Sequence, residues 1–312
     1  MKKLINLIKN NISFILTLVI TFFILSFELP YYIEAPGGLV DLKNRYEIEQ
    51  SYDIKGSINM TYVSEYKARI LTYLYAKKDK DSDIYKKEEV IPSNMTNEEY
   101  DFLGKMMLKE SINNAIINAY NKAEKEYKII NSELYVTYID KIAKTDLKIK
   151  YQIISVDGIK VNIKVINNKK EYTRYAYILK EKLVGIIVTT DTKINNIPKI
   201  KINYENNEFG SSGGLMTSLS IYSKLINYDI TKGYVISGTG TIDEFGNVGE
   251  IDGVKYKLKG AVKEKADIFL VPSGDNYKEA KKLKEKNDYD IEIVEIKTFD
   301  DALNYLNKLK KR

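Results

Sequence analysis

The 312-residue chain has no histidine and no cysteine. These absences exclude a Ser-His-Asp triad, a cysteine nucleophile and the usual Cys/His zinc sites. No metal and no cofactor is expected. No Gly-x-x-x-x-Gly-Lys-Ser/Thr phosphate loop occurs in the chain, so no ATPase is implied. A concentrated run of one charge sign is also missing. The 49 Lys and Arg against 43 Asp and Glu leave a net charge of +6 that is spread along the sequence. Nucleic-acid binding is therefore not expected. The lack of cysteine agrees with an exported chain without disulfides. What is plentiful is Lys, Asn, Ile and Tyr. A hydrophobic content of 44% suffices for packed cores, and the length allows two or three small domains.

The stretch around which the chemistry gathers is Phe209-Gly210-Ser211-Ser212-Gly213-Gly214-Leu215. Small residues crowd Ser212, and Leu215, Leu219, Tyr222 and Ile226 follow on one helical face. A serine at the first turn of a helix lies beside free backbone N–H groups, which with the helix dipole suit a developing oxyanion. The N–H groups of Ser212 and Gly213 are the candidates. Alone, the stretch reads as a Gly-rich loop with an N-capping serine. If Ser212 is a nucleophile, its base must be Lys, Asp, Glu or an N-terminal amine, and Ser-Lys pairs are a known variant.

Further on, Thr239 to Lys257 reads as strand, turn, strand and helix start. It contains Thr239-Gly240-Thr241 and then Ile251-Asp252-Gly253-Val254-Lys255-Tyr256-Lys257. With the Ser212 stretch, this resembles the proteolytic domain of the Lon family of serine proteases. That family carries Gly-Pro-Ser-Ala-Gly, a Thr-Gly-rich strand and then Ile-Gly-Gly-(aliphatic)-x-x-Lys. The resemblance covers the chain from about Leu183 onward. It implies Ser212 as nucleophile, Lys257 as general base and Thr239 as a supporting hydroxyl. Ser211 stands for the motif proline, Gly213 for its alanine and Asp252 for its first glycine before the lysine. As a base Lys257 must be neutral, whereas a free lysine has a pKa of about 10.4. Burial beside Val254, Leu258 and Ala261 is expected to lower it. Ser237 is the lesser candidate for the supporting hydroxyl. Lys255 and Lys259 are expected off the catalytic face.

Asn10 to Phe27 carries no charge, which at about 18 residues is near the minimum for a membrane-spanning helix. Lys2, Lys3 and Lys9 precede it, and Glu28, Glu34 and Asp41 follow. The asymmetry predicts a single-pass cell-membrane anchor with a cytoplasmic N-terminus and the remainder outside. Ser26-Phe27-Glu28-Leu29-Pro30 offers no small-x-small cleavage site, so the anchor is expected to stay uncleaved. Tyr31 to Gly38 and Gly56 to Val63 read as short strands. Lys77 to Lys87 reads as a solvated loop. Thr96-Asn97-Glu98-Glu99 is a capping box for a helix running to about Tyr127, with Phe102, Met106, Ile112, Ile116 and Tyr120 as its apolar stripe.

From Leu134 the pattern turns to strands. The Val156-Asp157-Gly158 turn between two of them resembles a PDZ domain. The carboxylate-binding glycines are absent, with Lys150-Tyr151 where Gly-Asp is usual. A hairpin through Asn167-Asn168 leaves no room for the groove helix, so capture of peptide C-termini is not expected. The order of segments resembles the membrane-anchored PDZ–Lon proteases of Gram-positive bacteria. The expected fold is α+β: a transmembrane anchor (1–29), a β-rich segment with a long helix (30–127), a reduced PDZ-like module (128–182) and a Lon-type domain (183–312). In that last domain strands are expected at Leu183–Thr189, Ile200–Tyr204, Tyr234–Ser237, Asp267–Val271 and Ile291–Ile296. Helices are expected from Ser212 and over Val254–Lys265, Tyr277–Lys286 and Phe299–Leu309. The implied activity is ATP-independent endoproteolysis of exported proteins or peptides at the membrane, in a form compatible with a homo-oligomer. The alternative is an inactive Lon-like membrane scaffold.

Overall fold

A computed structural model describes residues 11–49, 51–157, 159–165, 171–176, 178–179, 182–203 and 208–312. Asn10, Lys2, Lys3, Lys9, Gly158, the Asn167-Asn168 hairpin and Tyr204 lie outside these residues. By its internal packing the chain divides into two units, Met1–Pro36 with Val63–Pro92 and Gly37–Tyr62 with Ser93–Arg312. No division falls at 127/128 or 182/183.

The smaller unit contains helix α1 (Ile12–Ser26), parts of strands β1 (Glu28–Asp41) and β3 (Ser57–Arg69), helix α2 (Ile70–Ala76), strand β4 (Asp83–Lys86) and helix α3 (Lys87–Val90). β1 and β4 pair antiparallel, from Tyr31 opposite Lys86 to Glu34 opposite Asp83. Ile33, Ala68 and Ala76 form its core, and Ile84 packs against them. The stretch Lys77–Lys87 is thus not all solvated loop. Its lysines are exposed while Ile84 supplies an inward residue. The expected membrane anchor is also corrected. Phe27 already has extended backbone, and Pro30 disfavours helical geometry at Leu29. The charge-free run is therefore split between α1 and the approach to β1. The 15 residues of α1 rise about 22 Å, against a hydrocarbon core of about 30 Å. Among the described residues no helix is long and apolar enough to cross a membrane. The single-pass location and its orientation fall with that expectation.

In the larger unit the strand order β17-β16-β13-β3-β1 uses β13 (Val235–Gly238), β16 (Ile268–Pro272) and β17 (Glu292–Ile296). β13 lies parallel to β3, with Val235 opposite Ser57 and Gly238 opposite Met60. It lies parallel to β16 on its other side, and β16 is parallel to β17. Successive side chains point to opposite faces. Ile236, Ile268 and Leu270 pack in one core with residues of α4 (Asn97–Lys122), α5 (Gly214–Leu225) and α8 (Phe299–Lys308). Phe269 and Val271 pack in a second core with α6 (Val254–Lys263) and α7 (Asp275–Asn287). Each such side chain contributes about 1.5–3 kcal/mol on burial.

The capping box of α4 forms: Glu99 N donates to Thr96 Oγ1 at 3.2 Å, and Thr96 N to Glu99 Oε2 at 2.8 Å. The helix stops at Lys122 rather than near Tyr127, because Glu124 takes a left-handed φ of 53°. Tyr127 then belongs to β5 (Glu126–Ile139). That strand joins an antiparallel sheet of order β11-β5-β6-β7-β8, with β6 (Tyr151–Asp157), β7 (Lys160–Val165), β8 (Glu171–Tyr175) and β11 (Ile186–Ile197). The strand expected to open the last domain is β11. It pairs along β5 from Ile186 opposite Ile139 to Ile197 opposite Glu126, in one sheet with the strands read as PDZ-like. Among the described residues no helix lies between α4 and α5. Short pairs complete the unit: β9 (Ile178–Leu179) with β10 (Lys182–Leu183), β2 (Tyr46–Ile48) with β12 (Ile200–Ile202), and β14 (Thr241–Ile242) with β15 (Val248–Gly249).

Candidate functional site

The site assembles where β13 ends. Within β13, Ile236 and Gly238 face α5. A Cβ on Gly238 would stand 2.7 Å from Met216 Sδ of that helix. Alternation turns Ser237 to the opposite face, where its Oγ donates to Ile268 O at 2.7 Å. Ser237 is thus engaged within the sheet, and Thr239, two residues on, takes the position beside α6. Thr239 is fully buried. Its N–H donates to Leu270 O at 3.0 Å, and its Oγ1 donates to Ser212 O at 3.0 Å.

Lys257 reaches the same point from α6. The helix follows Gly253, whose φ of 75° is a backbone state that residues with a Cβ rarely adopt. Asp252, at the altered motif position before it, is exposed on the surface. The approach to α6 is tied down by Asn276 of α7. Ile251 N donates to Asn276 Oδ1 at 2.8 Å, and Asn276 Nδ2 donates to Ile251 O at 2.9 Å. One turn into α6, Lys257 is only 4% exposed, and its Nζ donates to Thr239 Oγ1 at 3.3 Å. Val254, Leu258 and Ala261 are buried on the same helix. Lys255 and Lys259 are half-buried, and Lys255 Nζ lies 4.6 Å from the Tyr256 ring.

Ser212 does not open the helix. It stands before the cap residue Gly213, and α5 begins at Gly214. Its side of the loop is half-buried, and its carbonyl accepts from Gly240 N at 2.7 Å as well as from Thr239. Hydrogen bonds therefore run from Lys257 Nζ through Thr239 Oγ1 to the backbone of Ser212. Among the described residues the N–H groups of Ser212 and Gly213 donate no hydrogen bond, so both remain available at the positive end of α5. A Cβ on Gly213 would lie 2.7 Å from Met60 Sδ of β3, a flexible neighbour in the space the expected alanine would fill. At Gly214 the limit is firmer. A Cβ would meet Ser111 Oγ at 2.8 Å and the Ile242 backbone N at 3.0 Å.

Helix α4 braces this loop. Gly210 N donates to Gly104 O at 2.9 Å, Ser111 Oγ to Ser211 O at 3.0 Å and Asn114 Nδ2 to Ile242 O at 3.0 Å. Asn118 Nδ2 donates to Asp243 O at 2.7 Å. Sequence reasoning took α4 by its apolar stripe and missed this second one. Its signal was available: Ser111, Asn114 and Asn118 are spaced i, i+3, i+7, a single helical face. Met60 was missed too, since nothing near it in sequence points to Gly213. Near the far end of α4, Tyr120 is fully buried and its hydroxyl donates to Pro198 O. Burial pushes that phenol up to about 12.

Beside Ser211 a cavity of about 630 Å³ opens, walled by Glu110 and Asn114 of α4, Thr190 of β11, and Thr241, Glu244 and Phe245. Phe245 is 81% exposed at the β14–β15 turn. Asp243 Oδ1 fixes that turn by accepting from Phe245 N at 2.9 Å and Asn247 N at 2.8 Å. Among the described residues no group of three or more Asp and Glu is placed to hold a metal ion. Compared with known proteins, the chain matches no protein-family model, and no curated protein matches its sequence.

Proposed function

We propose that the protein is an ATP-independent serine endopeptidase acting through a Ser-Lys dyad, with Ser212 as nucleophile and Lys257 as general base. The observation that carries this reading is the hydrogen-bonded series of buried Lys257 Nζ, Thr239 Oγ1 and the Ser212 carbonyl, at 3.3 and 3.0 Å. Three residues that the Lon-like motifs single out from distant parts of the sequence meet there. Burial disfavours an ammonium ion, which suits an amine that must take a proton.

The mechanism follows from these placements. Ser212 Oγ attacks the scissile carbonyl of a peptide while its proton passes to Lys257 Nζ. The tetrahedral oxyanion is stabilised by the unengaged N–H groups of Ser212 and Gly213. Collapse breaks the C–N bond, and the leaving amine takes its proton from Lys257, leaving an ester on Ser212. Water, deprotonated by the neutral Lys257, then hydrolyses the ester and restores Ser212. Thr239 orients the amine.

The test is cleavage of an unstructured polypeptide by the full chain, with products read by mass spectrometry, alongside labelling by a fluorophosphonate. Wild type should cleave and label at Ser212, and folded Ser212→Ala should do neither. Cleavage that survives Ser212→Ala would remove the nucleophile assignment. A wild type that neither cleaves a broad peptide panel nor labels would leave a binding or scaffolding role.

A further inference from the structure

We infer that Arg45 and Tyr46 are positioning residues that hold Ser212 from both sides, a role that rests on the endopeptidase reading above. Tyr46 begins the short strand β2 and Arg45 directly precedes it, far from the motifs in sequence. Tyr46 is buried, and its hydroxyl lies 3.0 Å from Thr217 Oγ1 in the first turns of α5, after the nucleophile. Arg45 acts on the other side. Its Nη2 pairs with Glu208 Oε1 in the segment just before Ser212, with both side chains only 16% and 17% exposed. Nη1 donates to Asn203 O at 3.3 Å.

The anchoring point itself is fixed. Asn203 N donates to Arg45 O at 2.9 Å, and Asn203 Nδ2 donates to Asn44 O at 3.3 Å and to Glu47 Oε1 at 2.6 Å. β2 also pairs with β12 from Tyr46 opposite Ile202 to Ile48 opposite Ile200. One dipeptide thus grips the chain on both flanks of the serine. A planar guanidinium has donors enough to hold Glu208 and Asn203 together, which an ammonium does as a single point. Neither residue touches the position of the reacting atoms. Their effect passes through the loop they hold, where a misplacement of about 1 Å can cost about 100-fold in rate.

Arg45→Met keeps much of the side-chain stem and removes the fork. It should lower kcat for peptide hydrolysis by about 10- to 100-fold, with KM within about two-fold. Arg45→Lys should recover part of the loss. Amide hydrogen exchange gives a second readout that needs no activity. Arg45→Met should speed exchange at Gly210, Gly214 and Gly240, whose N–H groups bond to Gly104 O, Ser211 O and Ser212 O, and leave the last turn of α5 unchanged. Unchanged exchange at these three glycines overturns the inference. So does a kcat loss in Arg45→Met that Arg45→Lys does not relieve, or one that comes with faster exchange throughout α5 and a lower melting temperature. If wild type has no hydrolytic activity, the dyad reading fails while exchange still decides the role of Arg45.

Discussion

Thr239 can be altered in two ways that separate its hydroxyl from its shape. Thr239→Val keeps the volume and removes the group that accepts from Lys257 Nζ and donates to Ser212 O. The Ser212 carbonyl keeps the Gly240 N–H at 2.7 Å. The two hydrogen bonds removed are worth about 0.5–1.5 kcal/mol each, and the added methyl returns about 0.8 kcal/mol. The net is a destabilisation of about 0–2 kcal/mol, or up to about 8 °C in melting temperature. Thr239→Ser keeps the hydroxyl and loses one buried methyl, which costs about 1 kcal/mol. Stability should therefore fall in both variants, but activity should diverge. With its orienting partner gone, Thr239→Val should lose about 10- to 100-fold in kcat. Thr239→Ser should stay within a few-fold of wild type. The assay is steady-state hydrolysis of a fluorogenic peptide, with melting followed by circular dichroism. If Thr239→Val keeps wild-type kcat while Thr239→Ser loses it, side-chain shape matters at this position and the hydroxyl does not.

Other expectations concern the same site and its supports. Lys257→Arg should abolish hydrolysis, since a guanidinium is not deprotonated in a protein. Lys255→Arg and Lys259→Arg should change little in the same assay, and loss in either would misplace the base. Asn276→Ala removes both bonds to Ile251 ahead of α6, and should lower melting temperature together with kcat. Gly214→Ala should be harsher than Gly213→Ala by thermal melting, because the first meets backbone and the second only the flexible end of Met60. Tyr120 titrates near 12 against a usual value near 10. Its folded pKa is the higher one, so its contribution to stability is complete below pH 10 and is lost as pH rises through 12. Tyr120→Phe should flatten that part of the alkaline unfolding curve, and an unchanged slope there would assign the alkaline transition to other groups.

How much of this is legible in sequence depends on distance along the chain. The start of α4 is written locally, in Thr96 and Glu99, and so is the start of α6 after Gly253. The meeting of Thr239 with Lys257 is legible only through the likeness of Thr239-Gly240 and Ile251 to Lys257 to the Lon-type motifs. β3 is not. Asn59 and Thr61 interrupt its apolar pattern and suggest a surface strand. Yet both are buried, because Asn59 Nδ2 donates to Ile236 O at 3.0 Å and Thr61 Oγ1 to Gly238 O at 3.0 Å across the sheet. A polar residue satisfied by a distant strand has no local signature. The charge-free run misled for a related reason. Its length fits a membrane span, but Pro30 and the pairing of β1 with β4 draw its end into a sheet. The hold of Arg45 on Glu208 is equally silent, since its partners lie more than half the chain away.

The parallel pairing of β3 with β13 sets an order of events during synthesis. Asn59 and its partner Ile236 are 177 residues apart. At about 5–20 residues per second, β3 waits about 10–35 s on the ribosome before β13 has been made. Through that interval the edge of β3 away from β1 lacks its permanent partner and can template the wrong strand. A fragment starting at Leu183 would have the converse defect, carrying Ser212, Thr239 and Lys257 on a sheet whose central neighbour was never translated. Such a fragment should aggregate, and supplying residues 37–182, which carry β3 and α4, as a separate chain should restore solubility, with sedimentation as the readout.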